Sequence, residues 1–188
     1  YKAGFLFIKG ENMFNKAIVI GGSIAGKLAA KALSTAFKEV IIIEAGERWD
    51  GKASRKRVPQ SNHPHVLLKG GENAIEELFP NITNELIEAG SIVHNFTRDL
   101  KWHQFGSWKQ PFIGEVHMIQ QSRSMLEAHI QKRIEQISNI TIKYETLVEG
   151  LVVNEKLNKV CGVKMECLNT GNQEEIHADI IVDASGFG

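Results

Sequence analysis

The stretch Gly21-Gly22-Ser23-Ile24-Ala25-Gly26 places small residues where a short apolar run meets an alanine-rich amphipathic run. Gly21, Ser23 and Gly26 fit the spacing G-x-G-x-x-G, with serine in the middle place. Each position has a physical reason. Glycine at 21 lets the chain turn tightly off a strand, a small residue at 23 lets a pyrophosphate approach the backbone, and glycine at 26 lets helix and strand pack closely. The helix N-terminus then offers N–H groups and the positive end of its dipole to phosphate. Gly22 and Ala25 keep the rest of the turn small. Glu44 closes a second apolar run, "EVIIIE", 18 residues past Gly26. That is close to the ~20 residues expected for an acid that binds a ribose hydroxyl. The turn alone would be only a tightly packed strand-to-helix junction. Turn and acid together point to dinucleotide binding.

These residues need a βαβ unit to position them. Residues 16–20 are expected as a short buried strand, 24–37 as a helix with Ile24, Leu28, Ala32 and Leu33 on one face, and 39–44 as a second buried strand. A polar, basic loop follows. Helices are expected over 66–78 and 84–89, the second closed by Gly90. A hairpin is expected over 98–112, alternating around Gly106-Ser107. Next comes an amphipathic helix over 122–137, with Leu126, Ile130, Ile134 and Ile137 on one stripe and a capping box from Ser124 to Glu127. After a strand at 140–145, three β-like runs at about 147–154, 159–167 and 174–178, with turn signals at Asn158 and Thr170-Gly171-Asn172, read as a small antiparallel meander. "ADIIVDASGFG" closes the chain as a buried strand entering a second glycine turn. The expected fold is α/β: a Rossmann-like parallel sheet with inserted helices, a hairpin and the meander. The excursion after the second strand suits an FAD domain, since an NAD domain would continue with regular βα units.

Composition narrows the function classes. The chain has 188 residues, 43% of them hydrophobic, with 22 Lys and Arg against 22 Asp and Glu. That balance argues against nucleic acid or an anionic membrane as partner. No apolar run approaches the ~20 residues of a membrane span. Cys161 and Cys167 have no metal-site spacing and are too few for a disulfide scaffold, so both read as reduced packing residues. His63 and His65 have no third ligand clustered with them, and no metal is expected. The N-x-[ST] matches at Asn81, Asn95 and Asn139 read as chance matches, because the first residues lack a signal-peptide pattern; the expected location is cytoplasmic. Met13 reads as the natural start and residues 1–13 as an extension, non-native or disordered.

Several separated motifs, "IVIGGSIAGKLAAKAL", "VIIIEAG", "RKRVPQSNHPHVLLKGGENAIEELFP", "QSRSMLEAHIQKRI" and "ADIIVDASGFG", stand in the order found in one family. From Phe14 onward the chain resembles FAD-dependent oxidoreductases of the para-hydroxybenzoate-hydroxylase-like (group A flavin monooxygenase) superfamily, which also holds epoxidases, halogenases and isoprenoid reductases. The resemblance implies that Gly21, Gly22, Ser23, Ala25 and Gly26 form the pyrophosphate turn and that Glu44 binds the adenosine ribose. It implies that Arg55, or else Arg57, approaches the flavin and its phosphates, and that Arg123 contacts FAD from the start of its helix. It further implies that the Val148 backbone touches adenine and that Asp183 with Gly186 forms the second FAD motif. Plainer readings stand beside these: Arg55 as a solvated charge, Arg123 as a partner of Glu127, Asp183 as a cap on its own turn. Lys27 stands where leucine is common and could bring positive charge near phosphate. Phe187 stands where arginine is common. The family continues with a substrate-binding part, so residues 14–188 are expected to be an incomplete FAD-binding domain.

The implied activity is oxidation of a small hydrophobic or aromatic substrate with FAD, NAD(P)H as reductant and O2. The alternatives are reduction or halogenation, or a truncated dinucleotide-binding remnant without activity. No side chain is singled out as catalytic. Trp102, Phe105 and Trp108 could line an apolar surface or belong to the core. Nothing in the sequence sets an oligomeric state.

Overall fold

The computed structural model describes residues 14–49 and 64–186. The N-terminal extension, Arg55, Arg57, His63 and Phe187 lie outside them. The chain divides into two compact units, one formed by residues up to 53 together with those from 130 onward, the other by 54–129.

In the first unit, β1 (Phe14–Ile20), β2 (Phe37–Ile43), β8 (Ile140–Lys143) and β12 (Ile180–Asp183) form a parallel sheet in the order β12-β1-β2-β8. Both faces are covered, which is why the strands read as near-continuous Ile and Val. Ala17, Val19, Val40 and Ile42 form one face and are fully buried. There α1 (Ile24–Leu33) lies against the sheet. The next residue along each strand points the other way. Ile18, Ile41 and Ile43 pack with Val163, Met165 and Ile176 of the meander, flanked by Ile20, Val148, Ala178 and Ile181. The meander is the expected one: β9 (Thr146–Asn154), β10 (Lys159–Cys167) and β11 (Gln173–His177), antiparallel in the order β11-β10-β9.

Two details of this unit differ from expectation. The helix α1 stops at Leu33, and Phe37 already begins β2 with its ring stacked on Phe14 at 5.2 Å. The connection is held by Asn139, whose Nδ2 donates to the carbonyls of Ser34 and Phe37, both at 2.9 Å. The inward residues of α1 are Gly26, Lys27 and Ala30, while Ile24, Leu28, Ala32 and Leu33 are half-buried. Close approach at Gly26 turns the small residues, rather than the large ones, to the sheet.

In the second unit, β3 (Pro64–Leu67), β7 (His117–Ser122) and β4 (Ile92–Asn95) form an antiparallel sheet in the order β3-β7-β4. The helices α2 (Lys69–Leu78) and α3 (Ile82–Glu88) accompany it. Val66 and Leu67 are therefore strand, not helix, because Gln120 and Ile119 of β7 pair with them. Neither β4 nor β7 was anticipated. The short helix α4 (Phe96–Asp99) is capped by Asn95, whose side chain accepts from Arg98 N–H. The hairpin is β5 (His103–Gln104) and β6 (Ser107–Trp108), turning at Phe105-Gly106, one residue earlier than expected. Both turn residues have positive φ, +54° and +79°, the backbone that matches strand twist. Its aromatics are not core: Phe105 is 96% exposed, and Trp102 packs edge-on against Phe96 and under Lys109.

The helix α5 (Arg123–Glu135) follows β7 directly. The Ser122 hydroxyl accepts from Met125 N–H, so Ser122 is its cap and Ser124 lies inside the helix. The expected Ser124–Glu127 box does not form. Leu126, Ile130 and Ile134 are buried as one stripe, but the helix ends at Glu135, and Ile137, expected on the same stripe, lies half-buried beyond it. Of the glycosylation-type asparagines, Asn95 and Asn139 both spend their amide N–H on backbone carbonyls.

The two-sided sheet makes a graded prediction. Ile18→Ala empties a site in the sheet–meander core and should cost about 3 kcal/mol. Leu151→Ala removes a half-exposed side chain on β9 and should cost no more than about 0.5 kcal/mol. Urea unfolding of the two variants measures the difference.

Candidate functional site

The sheet brings two glycine turns side by side. Gly21 continues β1 by donating to Ile43 O at 2.8 Å, and Ala184 continues β12 by donating to Ile20 O at 2.8 Å. The turns therefore leave the same ends of neighbouring parallel strands. Chain β1 has β2 on one side and β12 on the other, so this is the switch point at which open α/β sheets bind ligands. Gly21 has φ +96°, and a Cβ there would lie 2.5 Å from Ala184 O. A Cβ on Gly26 would run into the Gly21 carbonyl oxygen. Backbone meets backbone at both positions. Ser23 is the N-cap of α1 by its backbone, and its carbonyl takes the first helical bond, from Lys27 N–H at 3.0 Å. Ala25 is the exposed residue of the first turn and carries no charge, and that turn holds no acidic side chain. Its N–H groups and dipole end are thus not countered from within the helix.

Glu44 is the first residue beyond β2 and is 9% exposed. Its Oε2 accepts from Gly22 N–H at 2.6 Å and its Oε1 from Gly46 N–H at 2.8 Å. A Cβ on Gly22 would lie 2.8 Å from that Oε2. The acid and the turn, 22 residues apart, are therefore one piece of structure. Each of the two carboxylate oxygens thus accepts a backbone N–H. Gly46 was not foreseen as a partner; the short spacing in "EAG" was its only sequence signal.

Asp183 ends β12 and is exposed. Its Oδ1 accepts from the Ser185 hydroxyl at 2.6 Å and from Ser185 N–H at 2.9 Å. The hydroxyl first, then the N–H, hold the carboxyl below the usual carboxylate range, so it is ionised at neutral pH. The plain reading of Asp183 as a cap on its own turn is thus what its hydrogen bonds make. Gly186 follows with φ +81°.

The other expected residues are placed less directly. Val148 is half-buried on β9 and its side chain belongs to the sheet–meander core. Arg123 opens α5 in the other unit, with Nε 3.8 Å from Glu127 Oε2 and both side chains largely buried. Lys27 does not stand at the rim of the turn: it is 2% exposed, facing inward with Ala30. Among the described residues, no group of His, Cys, Asp and Glu could hold a metal ion. No helix among them is long and apolar enough to cross a membrane.

Comparison with known proteins agrees with this geometry. The family model for FAD dependent oxidoreductase matches residues 17–188. The chain is 31% identical to Protein Rv3254 of Mycobacterium tuberculosis over 94% of its own length and 39% of the relative's. Its fold is similar to p-nitrophenol 4-monooxygenase PnpA from Pseudomonas putida, with TM-score 0.65 and 14% identity over 93% of this chain and 42% of that one. It is similar also to the myxobacterial chondrochloren halogenase CndH, an FAD-dependent halogenase, with TM-score 0.68 and 20% identity over 93% of this chain and 38% of that one. The chain thus spans about two fifths of the length of these proteins. The sheet with its paired glycine turns, and the match along nearly the whole chain, identify it as a member of the FAD-dependent oxidoreductase family.

Proposed function

We propose that this chain supplies the FAD-binding part of a flavin-dependent monooxygenase that acts on a small hydrophobic or aromatic substrate with NAD(P)H as reductant and O2. The observation that carries the reading is the pairing of two glycine turns at the switch point, with Glu44 tied into one of them. The absence of side chains at 21, 22 and 26 supports it, because a Cβ there would meet Ala184 O, the Glu44 side chain and Gly21 O, and only small residues let the two turns and the acid stand this close. Monooxygenase chemistry is favoured by the likeness to PnpA, whose name gives an aromatic substrate. A cytoplasmic setting, where NAD(P)H is available, goes with it.

In this reading the flavin supplies the redox chemistry and the chain binds, orients and shields it. Gly21, Gly22, Ser23, Ala25 and Gly26 admit the pyrophosphate, and the N–H groups opening α1 meet its charge. Glu44 accepts the ribose hydroxyls. The ionised Asp183, with Gly186, accepts hydroxyl protons of the ribitol. Arg55 and Arg123 bring positive charge to the flavin end, and the Val148 backbone borders adenine.

The test is a visible absorption spectrum of the purified protein, incubated with FAD and desalted. Retained flavin absorbance is expected for the unaltered chain. Glu44→Ala and Gly26→Val should each lose it while far-UV circular dichroism still reports helix. Glu44→Gln should weaken FAD binding about tenfold, because its NH2 must face a backbone N–H that now has an acceptor. Unchanged FAD affinity in all three would overturn the site. Absence of substrate-dependent NAD(P)H oxidation by the flavin-loaded enzyme, with hydrophobic and aromatic substrates, would overturn the monooxygenase assignment alone.

A further inference from the structure

A separate set of contacts fastens the loop that follows Glu44. Arg48 donates from Nε at 3.1 Å and from Nη2 at 2.8 Å to Oε1 of Glu135, the last residue of α5. Gln131 Nε2 donates to the same oxygen at 2.8 Å and also to Tyr144 Oη at 2.8 Å. Tyr144 stands in the turn between β8 and β9, and the backbone of that turn is laced to the loop. Glu145 N–H donates to Gly46 O at 3.0 Å, and Thr146 N–H to Glu44 O at 3.1 Å. Burial works to raise the Glu135 carboxyl, but hydrogen bonds from Gln131 and Arg48, with the charges of Arg48 and Lys27, hold it below the ordinary carboxylate range. At neutral pH Glu135 is an anion, and the guanidinium of Arg48 is committed to it.

The place of Arg48 gives this pair a meaning. In α/β dinucleotide folds, the acid after the second strand binds the ribose 2′-hydroxyl, and an arginine near it is the device that accommodates a 2′-phosphate. Arg48 lies four residues past Glu44, near it along the chain as such an arginine must be, and is paired with Glu135 of α5 instead. The pair is mostly exposed on the arginine side, at 65% against 35% for Glu135, and exposed pairs of this kind add little to stability. Its geometry therefore matters more for where the guanidinium is than for how firmly the unit folds.

We propose that Glu135 is a specificity-determining residue of the cleft at Glu44: by holding Arg48 it keeps the cleft selective for an adenosine with a free 2′-hydroxyl, and against a 2′-phosphorylated nucleotide. This rests on the reading of the glycine turn and Glu44 as the dinucleotide site. It lets one protein retain FAD while NADPH, which carries a 2′-phosphate, is present as reductant.

ADP-ribose and its 2′-phosphate differ only at the atom in question and serve as probes, with binding followed by calorimetry on the full chain. The unaltered protein should prefer ADP-ribose. Glu135→Gln frees Arg48 and should raise the affinity for the 2′-phosphate about tenfold relative to ADP-ribose, the worth of a charge-assisted hydrogen bond. Adding Arg48→Gln to that variant should cancel the gain. An unchanged ratio in Glu135→Gln, or a gain that persists without Arg48, would overturn the proposal. Should Glu135→Gln fail to fold, Arg48→Gln alone decides: it should leave the ratio as it was, and a selective loss of 2′-phosphate binding would show Arg48 already engaged there, against the proposal. If the unaltered chain binds neither ADP-ribose nor FAD, the dinucleotide reading itself fails, and the proposal with it.

Discussion

The structure depends on how closely two pieces of backbone can approach. At Gly21 the carbonyl of Ala184 occupies the space a side chain would need, and at Gly26 the carbonyl of Gly21 does the same. These contacts bring the first turn of α1, the end of β1 and the end of β12 to one place. Ordinary side chains at either position would push these elements apart by the width of a methyl group. The helix would then lift from Val19, and the two turns would no longer meet at the switch point. Small residues here are thus a condition for the whole C-terminal edge of the sheet, whatever lies on it.

Glu44 works within that constraint. A carboxylate tied to two backbone N–H groups fixes the relation between the turn after β1 and the loop after β2. Hydrogen bonds to an ion are stronger than neutral ones, which suits an acid that is nearly buried. The same side chain is thereby a brace and a candidate ligand. Arg48, a few residues later, is restrained from another direction by α5. The first residues after β2 are held at two points, by the acid Glu44 and by the cation Arg48 four residues along.

How much of this the sequence discloses follows from range. The turn, β1, β2, the meander and the place of Glu44 are legible because each is written in a few adjacent residues: glycine spacing, runs of Ile and Val, and turn residues such as Asn158. The stripe on α5 is legible because Leu126, Ile130 and Ile134 repeat with the helical period. The failures share a different cause. Val66 and Leu67 become strand only because β7 lies beside them, and "VHMIQQS" has no clean alternation to announce β7. The inward face of α1 is set by contact at Gly26, not by where the large residues fall. Asn139 holding the carbonyls of Ser34 and Phe37, and Glu135 holding Arg48, join residues roughly a hundred positions apart. No local pattern signals such a pair.

The connection between β8 and β12 is made by strands rather than by a helix, and this bears on how the family can diversify. The meander covers its face of the sheet through Val163, Met165 and Ile176. Its turns at Asn158 and at Gly171 project beyond that contact, and neither glycine nor asparagine there braces another element. Lengthening either turn changes the outline of the protein without disturbing β1, β12 or the junction between them. This part of the chain can therefore absorb insertions, while the junction after β1 and β12 must keep its dimensions to within a single carbon atom.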